Sequence, residues 1–305
     1  MPPTGNRNSN TKIAAATATD IIRQSCSESL RALKKYRPAV LRLEEEPIHQ
    51  MRVGTRKLRA ILTLFKTLMD PQWADELATE LRWLAHSLGS VRDYDILRAR
   101  LRAAARPDDR QTLGKLHRIL AKRHREAQDA LKESLNSERY YALLEKLRIG
   151  SLSPETTIQA GEPPLKILLP LIFSAWNKLS RAANKLRQND APEKFHRVRK
   201  MAKRLRYATE SILPNLYIND QTDAEKFIKR MKEIQDTLGE HQDTEVAAKT
   251  VELIIENSES YPFTEAARRL ISTENKAAKK ARKDSLKNWK NASDPKIRKW
   301  MKQNS

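Results

Sequence analysis

Apolar residues recur along this chain at helical spacing, in long runs separated by Pro, Gly and Asp. The stretch DIIRQSCSESLRALKKY predicts a first helix, beginning near Thr19 or Asp20 and reaching Tyr36. A second starts at Pro47, since proline suits a first helical turn, and runs to Met69, where Asp70-Pro71 breaks it. A third covers 72–88 and is expected to stop at Gly89 as its C-cap. Another begins around Val91–Asp93, and Pro107 interrupts it. DDRQTLGKLHRILAKRHREAQDALKESL then reads as a long helix and SERYYALLEKL as a short one.

Residues 149–164, IGSLSPETTIQAGEPP, have the composition of a linker. Beyond them the pattern resumes with a helix over 165–188. Its opening run LKILLPLIF would pass for a buried strand, but it continues into SAWNKLSRAANKL with helical spacing. In the next helix Asp190 is the expected N-cap and Glu193, three residues on, completes a capping box; Pro214 closes it. DAEKFIKRMKEIQDTL should end at Gly239, with further helices near 240–257 and 264–283. From 276 on the chain is Lys-rich, with little apolar periodicity beyond Trp289 and Trp300. The expected organisation is a disordered 1–18, a helical bundle over 19–148, a linker over 149–164, a second bundle over 165–283 and a basic tail over 284–305.

The two halves repeat one another. HQMRVGTRKLRA at 49–60 parallels HRVRKMAKRLRY at 196–207, and SLGSVRDYD at 87–95 parallels TLGEHQDTE at 237–245, setting Asp93 over Asp243. His49 and Gly89 lie 40 residues apart, His196 and Gly239 43, so a small insertion separates two copies of one unit. The fold class expected is all-α: two pseudo-symmetric four-helix bundles from an internal duplication.

At 100° per residue, His49, Arg52, Arg56 and Arg59 fall in one arc of about 80°. His196, Arg199, Lys203 and Arg206 take the same angles in the second copy. Met51, Leu58, Ile61 and Leu62 lie opposite the first row; Val198, Met201, Leu205 and Ile212 lie opposite the second. Like charges at this spacing destabilise a helix by a few tenths of a kcal/mol per pair, so a mere solvated face would mix signs. A row repeated at equivalent places points instead to anion binding. Arginine's fork donates two hydrogen bonds to one phosphate, and lysine adds a point charge. His49 and His196 stand near helix N-termini, where free N–H groups attract anions; a buried capping histidine is the alternative reading. Neither has the HxxxH or HExxH spacing of a metal ligand. Asp93, Asp95 and Asp243 are expected to pair with the basic row, ahead of any magnesium or calcium role.

The net charge of +21 over 305 residues needs either an anionic partner (nucleic acid, a membrane surface or another polyanion) or a solubility rationale, the plainer reading being that basic residues simply coat the helices. Single-strand binders interleave aromatics with the basic residues, whereas here Phe65 falls on the apolar side and Tyr207 is the exception. Cys26 is alone, so no disulfide closes within the chain, and it reads as a helix residue rather than a nucleophile. No segment approaches the ~20 apolar residues of a membrane span, and the N-terminus has no apolar core of a signal peptide. A Walker loop, a metal constellation and a nucleophile with a partnered base are all missing, with Asp93 and Asp95 the only carboxylate pair near the row.

HxxRVxxRKLRA, LGSVRDYDIL, HRVRKMAKRLRY and IQDTLGEHQDTEVA together resemble the signatures of the CHAD domains, the conserved-histidine α-helical domains, over about 20–283. The resemblance implies two four-helix bundles related by a pseudo-two-fold axis, binding inorganic polyphosphate along a basic surface between them. It carries over to His49, Arg52, Arg56 and Arg59, and to His196, Arg199, Lys203 and Arg206, with Lys57 and Arg204 as neighbours. Asp93 and Asp243 take a supporting role. Two departures stand out: Arg92 has no basic counterpart at Gln242, and the Lys-rich end is extra to the family core. Many CHAD domains are fused to a triphosphate-processing CYTH domain, whose ExExK signature is missing; EEEP at 44–47 is a helix-start cluster. The expectation is a stand-alone, non-catalytic polyphosphate binder with no cofactor and no metal. It is expected in the cytoplasm in association with polyphosphate granules, with weak nonspecific affinity for nucleic acid and none for membranes. The competing readings are a nucleic-acid-binding helical protein and a metal-dependent polyphosphate-processing enzyme.

Overall fold

The computed structural model describes residues 17–215, 221–256 and 258–302. These residues are all-α. Their helices are α1 (Ala18–Leu41), α2 (Glu45–Leu64), α3 (Pro71–Ala104), α4 (Gly114–Asn136), α5 (Glu138–Leu152), α6 (Pro164–Asn184), α7 (Pro192–Ile212), α8 (Gln221–Ile255) and α9 (Tyr261–Ala292). A 3-10 segment, Lys296–Lys302, closes the chain, and the sole β feature among the described residues is an isolated bridge between Met69 and Thr156.

Thr17 starts α1 earlier than its apolar pattern suggests. Its hydroxyl accepts from the Asp20 N–H at 3.2 Å, while Asp20 accepts from the Thr17 N–H at 2.8 Å, a reciprocal capping box. Residues 1–16 of the expected disordered segment lie outside the described residues. Asp70 caps α3 by accepting from the Trp73 N–H at 2.8 Å, with Pro71 in the first turn. The capping box expected of Asp190 and Glu193 does not form. α7 begins at Pro192 with Ala191 at its N-cap, and Asp190 instead accepts from the Arg187 N–H at 2.8 Å and the Lys194 ammonium at 2.5 Å.

Gly89 and Gly239 do not end helices. α3 and α8 run through them for 34 and 35 residues, because neither glycine takes a positive φ and the buried positions continue past both. The stretch 149–164 is not a free linker either. α5 extends to Leu152, and the following strap is tied down: Asp70 N–H donates to the Glu155 carbonyl, Thr157 N–H to that of Leu68 and Ala18 N–H to that of Glu162. A Gly/Ser/Thr/Pro composition permits turns as readily as flexibility, and here the backbone finds partners.

One continuous apolar core joins α1, α2, α5 and the first half of α3 to α6, α7 and the first half of α8. A second forms where the far ends of α3 and α8 meet α4 and α9, with Leu101, Leu116 and Leu120 facing Val251, Phe263 and Leu270. Arg100 fastens α3 to the other half, reaching Glu240 on α8 at 2.9 Å and Glu274 on α9 at 2.5 Å. Cys26 is fully buried on α1, and burial pushes its thiol up to about 12, so it carries no thiolate at neutral pH.

The described part of 284–305 is structural rather than a loose tail. Trp289 stacks on Trp176 with ring centroids 5.3 Å apart and donates its indole N–H to Asn184 at 2.7 Å. Trp300 is fully buried against the edge of Phe227. The lysines around these anchors conceal the apolar pattern in the sequence while keeping the outer face in water. Trp300→Ala should cost about 3–5 kcal/mol of stability, measured as a lowered urea midpoint with helicity retained at low denaturant.

Candidate anion-binding cleft

α2 and α7 pack against each other across the middle of the molecule. Their inner faces hold them there: Met51, Leu58, Ile61 and Leu62 on α2, and Val198, Ala202, Leu205 and Ile212 on α7, are buried. The opposite faces therefore open into one shared cleft. It consists of a cavity of about 370 Å³ and a second of about 240 Å³, joined at Arg56, His196 and Arg199. Arg59, Lys200, Lys203 and Arg204 line the larger cavity, with Arg82 and His86 of α3 forming a third wall. Arg52, Asp93, Gln242 and Asp243 line the smaller.

Two arginines are held in matching ways. Arg52 is only 8% exposed and donates from Nη2 to Asp93 at 3.2 Å. It lies on Gly89, where an added Cβ would sit 3.7 Å from Nη2. Arg199 lies on Gly239 with the corresponding Cβ position 3.7 Å from Nε and Nη2. Each glycine gives its guanidinium a flat seat on a continuous helix; a side chain larger than alanine would push the guanidinium away. In both arginines the buried Nε has no hydrogen-bond partner among the described residues, and neither has Nδ1 of His196. A buried donor left unpaired costs about 1–3 kcal/mol, so the two Nε–H groups await an acceptor.

Among the described residues no carboxylate lies within ion-pair distance of Arg56, Arg59, Arg82, Arg199, Lys200, Lys203 or Arg204. The titration behaviour follows. Burial, reinforced by Arg56, Arg199, Arg52 and Arg206, drops the Lys203 ammonium to about 6. Burial also lowers Arg52, Arg59, Arg199 and Arg204. His196 is lowered by burial and by Lys200, Arg199 and Lys203, which disfavours its protonated form.

Not every expected residue reaches the cleft. His49 is exposed at the start of α2 and lines neither cavity, though Arg92, Arg56 and Arg52 are near enough to lower it alongside burial. Lys57 faces a separate cavity of about 180 Å³ beside Ser25 and Glu28. Arg206 is engaged elsewhere, donating to Glu210 at 2.6 Å and Gln235 at 3.0 Å with its guanidinium over the Tyr207 ring. Asp243 is beside Arg199 without a bridge, and burial holds its carboxyl above the usual range. Asp95 leaves the row and meets His124 at 2.9 Å. Arg82, His86 and Lys200 were not anticipated. Their signal was present: Arg82 and His86 are four apart on one face of α3, and Lys200 stands one turn after His196.

Two like-charged helices in an all-α frame thus wall one cleft. The chain belongs to the CHAD domain family, whose profile matches residues 24–252. Its fold is similar to that of PptA from Streptomyces chartreusis, with a TM-score of 0.76 at 21% identity over 90% of this chain and 99% of that one. It is also similar to the CHAD domain from the plant Ricinus communis, with a TM-score of 0.70 at 24% identity over 90% and 93% of the two chains. Two uncharacterized proteins of Mycobacterium tuberculosis, from strains CDC 1551 and H37Rv, are each 29% identical over 239 residues, 75% of this chain. That match spans 44% of their length.

The depressed Lys203 fixes a pH dependence. Well above pH 10.5 its amine is neutral, folded or unfolded. As pH falls towards 6, the unfolded chain takes up a proton that the folded chain refuses, so stability falls through that window. Lys203→Met should raise the thermal midpoint at pH 7, with a gain that shrinks as pH rises towards 10.5. Thermal unfolding across that range checks both.

Proposed function

We propose that this protein binds inorganic polyphosphate in the α2–α7 cleft without cleaving it. The observation that carries the reading is the convergence of unpaired cations from two helices on one elongated cleft, with the buried Nε atoms of Arg52 and Arg199 unpartnered. A phosphate chain supplies acceptors at short, regular intervals and a negative charge on every unit. Two cavities in series suit such a linear anion better than a single compact one. Membership of the CHAD family supports the same class of ligand. Guanidinium groups stay protonated throughout the neutral range, so most of the lining can hold phosphate but cannot act as a base. Binding of this kind would place the protein on polyphosphate granules.

Nucleic acid fits less well. Tyr207 is the aromatic in the larger cavity's lining, and it is 5% exposed beneath Arg206, leaving no free ring for a base to stack on. No helix among the described residues is long and apolar enough to cross a membrane.

Replacing Arg52, Arg56, Arg199 and Lys203 together with Ala should weaken polyphosphate binding by about three orders of magnitude or more, since each charged hydrogen bond contributes about 1.5–3 kcal/mol. Calorimetric titration reads the loss, and circular dichroism should show unchanged helicity. Undiminished binding would remove the site, and orthophosphate release in magnesium-containing buffer would replace the binder with an enzyme.

Complex formation should also take up protons. A phosphate beside Lys203 and His196 restores their charge, so at pH 7–8 the apparent binding enthalpy should vary with the ionisation enthalpy of the buffer, in the sense of uptake. Affinity should accordingly rise as pH falls from about 8 towards 6.

A further inference from the structure

The cleft is chemically lopsided. Among the described residues the larger cavity is lined mainly by cations and has no carboxylate. The smaller one adds Asp93 and Asp243 and an apolar wall of Ile96, Leu97 and Val246. Near it, three arginines of α3 have partners: Arg100 with Glu240 and Glu274, Arg92 with Glu45, and Arg98 with the His124 ring at 2.7 Å. The cations that line the larger cavity therefore meet two aspartates in the smaller one.

This arrangement discriminates between parts of a phosphate chain. An interior unit has a single ionised oxygen and no proton near neutral pH, so a carboxylate only repels it. A terminal unit has a second ionisation with a pKa of about 6, like a phosphomonoester. It retains a P–O–H in part of the population and can donate that hydrogen to a carboxylate oxygen. Its remaining oxygens are acceptors for the guanidiniums alongside. Arg52, more than nine-tenths buried, lines this cavity with an unpartnered Nε, and Arg199 opposite does the same. Donors for an anion and acceptors for its proton thus meet at one end of the cleft.

We propose that the cleft takes a phosphate chain by its end, with Asp93 and Asp243 selecting the terminal phosphate beside Arg52 and Arg199. This rests on the polyphosphate reading and adds polarity to it: the terminal unit sits in the smaller cavity, and the interior units run outward past Arg56, Lys203 and Arg204. The half-buried Asp243 carboxyl, held above its usual value first by burial, is suited to sharing a proton with the ligand.

The test is calorimetric titration in EDTA with linear polyphosphates of increasing length. A second series has the same lengths with both ends esterified by alkyl groups, which removes the terminal hydroxyl. End capture predicts at most two protein molecules per chain however long the chain is, and at least a tenfold loss of affinity on esterification. The double variant Asp93→Asn, Asp243→Asn should bind capped and free chains alike. The inference is overturned if occupancy grows in proportion to length, or if wild-type protein binds capped and free chains equally; polyphosphate binding itself would survive either result. Failure to bind both series would instead bring down the polyphosphate reading and the end-selection with it.

Discussion

The packing of α2 on α7 governs this molecule. It forces Arg56, Arg59, Arg199 and Lys203 into one cleft, where each raises the cost of charging the others. Such a cluster does not hold itself together. It persists because the reverse faces of the same helices are sealed into an apolar core that runs through both halves. An amphipathic helix with a core face and a cationic face converts the first into support for the second. The stability that hydrophobic burial contributes is partly offset by electrostatic strain, and that strain is relieved when an anion arrives.

The arginines divide into two populations, and the division says more than the total charge. Arg100, Arg282 and Arg269 bind carboxylates and tie helices together: Arg100 joins α3 to α8 and α9, Arg282 joins α9 to Glu245 of α8, and Arg269 joins α9 to Asp109. Arg56, Arg59, Arg82 and Arg199 have no such partner among the described residues, and they gather in one place. An overall charge of +21 does not say where on the molecule the excess lies. The segregation of paired from unpaired guanidiniums does, and it supports the α2–α7 cleft as the proposed site.

The basic rows were legible because a helix repeats its facing every few residues, so Arg52, Arg56, Arg199 and Lys203 share an arc whatever packs around them. What periodicity could not supply was context. It placed Arg206 in the row, but Glu210 one turn away and Gln235 on α8 claim it. It gave Lys57 and His49 the right helix and the wrong surroundings. Gly89 and Gly239 resemble helix ends because glycine is common there; only the fold shows that their role is to seat an arginine. Arg82 and His86 share a face of α3, but two residues make a weaker signal than a row of four, and tertiary packing is what brings them to the cleft. Lysines masked the tryptophans of the last segment, whose partners Trp176 and Phe227 lie far back in the chain.

Those tryptophans bear on how the protein can be divided. The family profile ends at residue 252, yet α9 and the closing 3-10 segment lie beyond it, and they cover Trp176 and Phe227. A fragment cut at the profile's boundary would keep every residue that lines the α2–α7 cavities and would bare two large aromatic rings to water. It would be a binding surface on a sticky body, prone to self-association. Fusion partners and affinity tags therefore belong after Lys302, not at the edge of the matched block.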